Sequence, residues 1–377
     1  MSAESLAHHL ARRILMEGPM TVASFMAEAL GHPRWGYYTA HDPFGAAGDF
    51  ITAPDISQMF GELIGLWAAD TWQRLGMPAH LRLIELGPGR GTLMSDALRA
   101  ASALPPFRQA LSVHFVETSP VLRQRQRAAL ASHRFADGGP HWHDRLEDVP
   151  DGPAIVIANE FFDALPIRQV QKTPHGWKER LVDLDPAAPA EAPRFRFVLD
   201  LVGSPGAALV PAGLATAPDG SVFESSPASQ AVARVLGARL AAQGGAALII
   251  DYGHDLGPAV GETLQAVRRH AYAPVLDDPG EADITAHVDF ESLAEAAAEA
   301  GATAFGTVEQ GEWLQRLGIV QRAAVLKRTA TPKQADDIDS ALRRLIGTDQ
   351  MGTLFKVLAL TCPGLDAPAG FDPVPLP

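Results

Sequence analysis

The fold is decided by the stretch LRLIELGPGRGT, residues 81–92. Its first half is an apolar run that ends at Glu85, a pattern typical of a buried strand. Three alternate glycines follow, and they let the backbone turn tightly and approach a ligand because glycine has no Cβ. Residues 93–101 then have a helical pattern, and the amides at a helix N-terminus favour a carboxylate. The stretch therefore predicts a strand, a ligand-binding loop and a helix.

The spacing of these glycines distinguishes between ligands. Dinucleotide-binding loops place their third glycine three residues after the second, whereas the glycines here alternate and Glu85 stands two positions before the first. This spacing, and the carboxylate that the ligand carries, favour S-adenosyl-L-methionine (SAM). Nucleotide binding and a purely structural strand-to-helix turn are the alternatives. We predict SAM as the cofactor, bound by Glu85, Gly87, Pro88, Gly89 and Gly91.

Acidic residues follow the next two strands along the chain. Glu117 ends the apolar run 113–116, where a carboxylate accepts hydrogen bonds from ribose hydroxyls in doubly wound nucleotide sites. A carboxylate that caps the helix beginning near Ser119 is the alternative. A weaker strand around Trp142 is followed by Asp144, which we predict to face the adenine amino group.

The fourth strand predicts the substrate side of the site. Residues 154–158 are uninterruptedly apolar, as expected of a strand covered on both faces, and ligands bind at the carboxyl ends of such strands. Many SAM enzymes that act on nitrogen carry Asn-Pro-Pro and an aromatic residue here, and residues 159–162 are a variant without the prolines. Asn159 and Glu160 are therefore predicted to line the site, with Asn159 a candidate both for holding the substrate amine and for binding the cofactor. One of the two following phenylalanines is predicted to belong to the core. A fifth apolar run, 244–254, ends at the same edge.

Two further segments carry candidate site residues. The glycine-rich stretch 42–50 lacks periodicity and is predicted to be a loop. With Asp49 and the preceding paired tyrosines, Tyr37 and Tyr38, it is either a lid over the cofactor or substrate or a solvated connector. In the segment 283–290, Asp283 and His287 are candidate substrate contacts, with His287 also a candidate general base. A satisfied structural residue is the alternative for both.

Charge argues against two classes of partner. The chain of 377 residues has 31 Lys and Arg against 44 Asp and Glu, a formal net charge of −13. Nucleic acids and anionic membranes need a basic surface, so neither is expected to bind. No apolar segment of signal-peptide or membrane-spanning character follows the basic pair Arg12 and Arg13. We predict no membrane insertion and a cytoplasmic location.

Metal binding is also not expected. Cys362 is the only cysteine in the sequence, so neither an intrachain disulfide nor a cysteine-rich metal site can form. The close histidine pairs, His8/His9 and His141/His143, lack an acidic or thiolate partner at ligand spacing.

Several longer strings are more specific than the glycine loop. They are Gly36-Tyr37-Tyr38 and residues 48–63, 85–91, 159–166 and 283–290. With them the chain resembles the MidA family over nearly its whole length, up to residues 351–358, which resemble the family's last strand. The resemblance implies a SAM-dependent methyltransferase fold. Mitochondrial members of the family act as assembly factors for respiratory complex I and dimethylate an arginine of a core subunit symmetrically.

The expected architecture is α/β, with a doubly wound, mostly parallel, seven-stranded Rossmann-like sheet. A helical stripe from residue 52 to Gly76 predicts one long helix before the first strand. The residues after Asp251 read as irregular. We predict a helical cap with the lid loop, two core segments, a β-rich substrate lobe and a tail, in the ranges 1–78, 79–164 with 226–360, 165–225, and 361–377.

The resemblance also implies a partner and a location. The partner is a protein substrate, with a subunit of respiratory complex I as the candidate. A basic presequence poor in acidic residues, as expected of mitochondrial import, is lacking at the N-terminus. The chain is therefore expected to be a bacterial, cytoplasmic member, and the eukaryotic relatives to lie in the mitochondrial matrix.

Methyl transfer from a sulfonium is an in-line displacement, for which the protein mainly has to orient the nucleophile. For a guanidinium nucleophile, carboxylates must align the group and accept a proton. Four carboxylates are candidates, with Glu160 first: Glu160, Asp163, Asp49 and Asp283. A noncatalytic assembly chaperone that binds SAM, and a methyltransferase acting on nitrogen or oxygen of a small molecule, are the alternative functions.

Overall fold

The structure is a computed structural model that describes residues 5–40, 52–135, 137–201, 203 and 205–373. Its α-helices are α1 (Leu6–Glu17), α2 (Val22–Gly31), α3 (Tyr37–Ala40), α4 (Ala53–Ile56), α5 (Gln58–Arg74), α6 (Thr92–Ala101), α7 (Pro105–Ala110), α8 (Pro120–Ala129), α9 (Pro227–Gln243), α10 (Phe290–Glu299), α11 (Gln310–Arg316), α12 (Ile319–Lys327), α13 (Pro332–Ile346) and α14 (Met351–Leu354). Among the described residues, none of these helices combines the length and apolarity needed to cross a bilayer.

The strands are β1 (Met20–Thr21), β2 (Leu81–Leu86), β3 (Leu111–Val116), β4 (His141–His143), β5 (Ala154–Asn159), β6 (Arg168–Thr173), β7 (Gly176–Leu184), β8 (Phe195–Leu199), β9 (Val222–Ser225), β10 (Gly245–His254), β11 (Gln265–Arg268), β12 (Ala271–Ala273), β13 (Asp283–Thr285), β14 (Val288–Asp289), β15 (Thr303–Glu309) and β16 (Phe355–Thr361).

The central sheet confirms the predicted fold class. Seven strands run in the order β15-β16-β10-β5-β2-β3-β4, and the short β14 pairs with β10. The pairs from β10 to β4 are parallel, and only the pairs that involve β16 in the seven-stranded path are antiparallel. The strand order reverses direction between β2 and β5, which opens a crevice at their carboxyl ends.

Helices cover both faces of this sheet, as the continuous apolar strands predict. All six residues of β5 are buried. On one face, Ile155 and Ile157 belong to a core with α5, α6 and α11, whereas Val156 and Ala158 belong to a second core with α9 and α10 on the other. Burial on both faces explains why the strand has no polar alternation before Asn159.

A second lobe packs beside the sheet. The inserted strands β6 to β9 form an antiparallel sheet that β1 joins, as the alternating sequence predicts for residues 165–225. The segment after Asp251, expected to be irregular, contains the three-stranded sheet β12-β11-β13. Both sheets share an apolar core with α1 and α2, in which Phe25, Val182 and Ile284 are buried.

Two elements differ from the prediction in their extent. The helix expected to run from residue 52 to Gly76 is interrupted at Ser57, whose extended backbone separates α4 from α5. Ser57 caps α5 by accepting a hydrogen bond from the Met59 amide at 3.2 Å. Residues 351–358 do not form one strand, because α14 occupies the first four and β16 begins at Phe355.

Close packing of α5 on α6 depends on two glycines. A Cβ at Gly61 would lie 2.7 Å from Cβ of Asp96, and one at Gly65 would lie 2.5 Å from the carbonyl oxygen of Ala97. The helices therefore approach closely at these positions. This contact fixes the position of α6, which directly follows the glycine loop.

We predict that Gly65→Ala lowers the free energy of unfolding by about 1–3 kcal/mol, because the added methyl group overpacks against a backbone carbonyl that cannot rotate away. Urea unfolding measures the effect. Gly31→Ala in α2 is the matched control, since its Cβ would meet nothing within 4 Å, and it should be neutral or stabilising by about 0.5–1 kcal/mol. Equal stability of the two variants would contradict the tight helix contact.

Candidate functional site

The glycine loop adopts the backbone that the sequence predicts. Gly87, Gly89 and Gly91 have φ values of 60°, 50° and 83°, in the left-handed region that favours glycine. The Gly91 amide donates to the Pro88 carbonyl at 2.7 Å, and the Gln126 side-chain amide donates to the Gly89 carbonyl at 2.8 Å. These bonds fix a loop of bare backbone between β2 and α6.

Glu85 lies under this loop. Its side chain is 3% exposed, and its Oε2 atom has no hydrogen-bond partner among the described residues. Burial raises the pKa of the carboxyl well above its ordinary value. Because Glu85, the loop and Asn159 line one small pocket, a cationic or hydrogen-bond-donating ligand group there would satisfy the carboxylate.

Glu117 makes the hydrogen bonds expected of the capping alternative and also faces the main cavity. Its Oε1 accepts the Ser119 amide at 2.7 Å, as a carboxylate near the start of α8 would, and its Oε2 accepts from Gln126 at 3.2 Å. Burial raises its pKa, while these hydrogen bonds oppose the rise. The residue also lines the main cavity beside the glycine loop, so the ribose role stays a prediction that the position supports.

Asp144 lies apart from these residues. Its side chain is 74% exposed and forms an ion pair with Arg123. It lines a separate cavity with Val116 and Phe161 rather than the main one. Contact with adenine therefore stays a prediction.

Asn159 and Glu160 meet the loop at the end of β5. The Asn159 side-chain amide donates to Oε1 of Glu160 at 3.3 Å, and the Ala53 amide donates to the same atom at 3.2 Å. Glu160 has a left-handed backbone, with φ at 49°. Burial and the neighbouring Asp163 raise the pKa of Glu160 to about 7, and the two hydrogen bonds oppose the rise.

Two tyrosine–aspartate pairs extend the site. The Tyr252 hydroxyl donates to Asp163 at 2.6 Å, and the Tyr38 hydroxyl donates to Asp283 at 2.7 Å. Both aspartates are buried, and burial raises the pKa of Asp163 to about 6. The pKa of Tyr38 is raised well above its usual value by burial, by Asp283 and by Asp163, so the pairs share one electrostatic environment.

These groups line a cavity of about 680 Å³ between the sheet edge and the second lobe. The structure brings together Gly87, Gly89, Glu117, Glu160, Asp163, Asp283 and His287 along its wall, and Asn159 and Glu85 line the adjoining small pocket. Asp49 and the predicted lid 42–50 lie outside the described residues. Phe162 is 2% exposed and belongs to the core, whereas Phe161 contacts the glycine loop.

His287 lies at the junction of two cavities. It lines the main cavity and a smaller polar one that also contains His254 and Glu224. Its ring stands edge-on to Tyr252, with centroids 5.6 Å apart, and burial lowers its pKa. It is therefore predominantly neutral at pH 7, as a base requires.

Asp251 and Tyr252 were not among the predicted site residues, and Tyr38 was expected only as part of the lid. Each follows from a contact between distant segments, since Tyr38 bonds a residue 245 positions away and Tyr252 one 89 positions away. The polar end of the apolar run 244–254 and the paired tyrosines at 37 and 38 were the available indications.

One group of potential metal ligands could not be recognised from its spacing in the sequence. Ligand atoms of His9, Glu28 and His32 lie within 4.8 Å of one another, across α1 and α2. Two of them are already engaged, because Glu28 pairs with Arg13 at 2.8 Å and Nδ1 of His32 accepts backbone amides at 3.1 and 3.2 Å. An imidazole whose Nδ1 lone pair is used in this way carries its proton on Nε2 and cannot ligate there.

The sheet order, the glycine loop and the following carboxylates define a Rossmann-like SAM-dependent methyltransferase. The sequence profile of a family described as S-adenosyl-L-methionine-dependent methyltransferases matches residues 63–308. The chain belongs to this family, the MidA family.

Similar proteins and a similar solved structure support this family assignment. The protein arginine methyltransferase NDUFAF7, mitochondrial, of Danio rerio is 38% identical over 95% of this chain and 87% of its own length. The Drosophila melanogaster homolog is 40% identical over 94% and 84%. A Burkholderia thailandensis protein crystallised with S-adenosylhomocysteine has a TM-score of 0.82 and 30% identity, covering 97% of this chain and 93% of that one. SAM is therefore the cofactor, and the orphaned Glu85 oxygen beside the bare loop fits it.

We predict that Gly89→Val abolishes SAM binding, because a branched side chain would enter the space over the loop and the left-handed φ of 50° disfavours it. Titration calorimetry with SAM tests this. Gly213→Val is the control, since a Cβ there would meet nothing within 4 Å and its SAM affinity should be unchanged. Wild-type affinity in Gly89→Val would remove the loop from the cofactor site.

Proposed function

We propose that this methyltransferase transfers a methyl group to an arginine side chain of a protein substrate, for which a subunit of respiratory complex I is the candidate. The relatives' names supply the reaction class, since they are protein arginine methyltransferases. The observation that carries the proposal is a set of three carboxylates on the cavity wall beside the glycine loop: the half-buried Glu160 and the buried Asp163 and Asp283.

Charge explains why this wall suits a guanidinium. Carboxylates crowded in a buried site repel one another, and a cation placed between them relieves the repulsion. A guanidinium presents several N–H donors in one plane and can bond more than one carboxylate at once. Oδ1 of Asp163 is buried without a hydrogen-bond partner among the described residues, so it offers an acceptor to the substrate.

Glu85, the glycine loop and Glu117 would hold SAM, which supplies an electrophilic methyl group. Asp163 and Asp283, each fixed by a tyrosine hydroxyl, would orient the guanidinium. A guanidinium nitrogen forms its new bond to the methyl carbon as the sulfur–carbon bond breaks, and one proton must leave that nitrogen. Glu160, the one of these three carboxylates that also lines the small pocket at the glycine loop, would accept the proton.

The cavity volume favours a second candidate. About 680 Å³ falls within the range of about 300–1,000 Å³ typical of small-molecule sites. A small guanidinium or amine is therefore the alternative substrate. Incubation of the enzyme with labelled SAM and either bacterial lysate proteins or a small-molecule extract, followed by mass spectrometry, distinguishes the two.

We predict that Glu160→Gln lowers kcat about 100-fold or more while SAM affinity stays within about twofold, because the amide cannot accept a proton. Methylation of a substrate protein identified in the lysate measures kcat, and calorimetry measures SAM affinity. Glu147→Gln, at an exposed carboxylate outside the cavity, is the control. Retained turnover in Glu160→Gln would assign the base elsewhere.

The raised pKa of Glu160, about 7, and that of Asp163, about 6, predict an acidic limb in the pH profile. The carboxylate accepts a proton only when ionised, so kcat/KM should rise as pH increases through about 6–7 and level off above. The profile is measured between pH 5 and pH 9. A flat profile across this interval would contradict a carboxylate base.

A further inference from the structure

Asp251, a carboxylate outside the predicted site, lies in β10 one residue past the end of its pairing with β5 and is fully buried. Its Oδ2 atom accepts three consecutive backbone amides, those of Phe161, Phe162 and Asp163, at 3.2, 3.0 and 3.2 Å. Its Oδ1 atom accepts the Tyr252 amide at 2.9 Å. One side chain therefore binds the three consecutive amides that follow Glu160.

This loop needs an anchor from outside. Regular pairing of β5 with β10 ends at Asn159 and Ile250, and the Glu160 amide makes the last bond, to the Ile250 carbonyl at 2.9 Å. Beyond that point the chain turns through the left-handed φ of Glu160, a backbone conformation that costs roughly 1 kcal/mol or more for a residue with a Cβ. Beyond the last strand-pairing bond, the backbone amides donate to the Asp251 carboxylate instead.

The three anchored residues face different parts of the site. Phe161 packs on the glycine loop, where a Cβ at Gly87 would lie 2.9 Å from its ring. Phe162 is buried in the core, and Asp163 lines the main cavity. The position of the Asp251 carboxylate thus affects both the cofactor side of the site, through Phe161, and the substrate side, through Asp163.

An amide could not replace this carboxylate. Asparagine has a single acceptor oxygen, and its NH2 group would face either the three loop amides or the Tyr252 amide. A buried aspartate close to Glu160 and Asp163 is electrostatically unfavourable, so packing alone gives no reason for its presence. The four hydrogen bonds do.

We propose that Asp251 is a positioning residue, whose carboxylate fixes the backbone of residues 160–163 so that Phe161 supports the cofactor loop while Glu160 and Asp163 face the substrate. The part of this proposal that concerns substrate rests on the proposed function, whereas the anchoring of residues 160–163 by Asp251 does not.

Hydrogen exchange tests the anchoring without an activity assay. In Asp251→Asn, the amides of residues 161–163, or the Tyr252 amide if the asparagine oxygen turns toward the loop, should exchange about tenfold faster or more, because those buried donors lose their acceptor. Asp255→Asn is the matched control, since this exposed carboxylate four positions along bonds the Thr307 hydroxyl instead, and the same amides should keep their protection. Unchanged exchange in Asp251→Asn would overturn the proposal.

Kinetics tests positioning. Asp251→Asn should weaken SAM binding by about threefold to tenfold and lower kcat by about tenfold or more, since both sides of the site shift; Asp255→Asn should change neither. If the amides exchange faster but SAM affinity and kcat both stay within about twofold of wild type, Asp251 does not position the site. Should Asp251→Asn fail to fold, Asp251→Glu, which keeps the charge but displaces it by one methylene, must produce the same pattern. An active Glu160→Gln together with a loosened loop would refute the proposed base but not the anchor.

Discussion

The structure depends on a bare stretch of backbone at the end of the first sheet strand. Gly87, Gly89 and Gly91 all occupy left-handed conformations that side chains resist, so the turn from β2 into α6 can be tight only with this sequence. The α5–α6 contact, formed at Gly61 and Gly65, holds α6 in the position that the turn requires. Cofactor binding is thus built into the packing of the core.

Electrostatics imposes the second constraint. Burial raises the pKa values of Glu160 and Asp163, and the nearby Asp163 charge raises that of Glu160 further. Glu160 accepts hydrogen bonds from Asn159 and Ala53, and Asp163 accepts one from Tyr252. A ligand with positive charge would lower this repulsion most effectively. The charge of the wall alone therefore favours the cationic substrate that we propose.

The sequence predicted those parts of the fold that local patterns encode. Apolar runs gave the strands β2, β5 and β10, and the parallel topology then placed Glu117, Asn159 and Glu160 at one edge. Contacts between distant segments were not predictable in this way. The bonds from Asp251 to the loop after Glu160 cross about 90 positions, and although apolar runs lead to both ends, they do not reveal that the two ends bond to each other. The sheet β12-β11-β13 was missed because its strands are too short for an alternating pattern to stand out.

The origin of the acidic groups suggests how the site acquires its selectivity. Glu160 and Asp163 follow a strand of the central sheet, whereas Asp283 and Tyr38 belong to the lobe built on α1, α2 and the antiparallel strands. The Asp163 carbonyl accepts the Ala286 amide at 3.0 Å, which ties the two parts together beside the cavity. Because the carboxylates are divided between the sheet and the lobe, the spacing between them follows from how the lobe packs on the sheet. A planar cation that bridges both would bind best at one spacing, so changes in lobe packing would alter substrate preference without any change in the residues that contact the substrate.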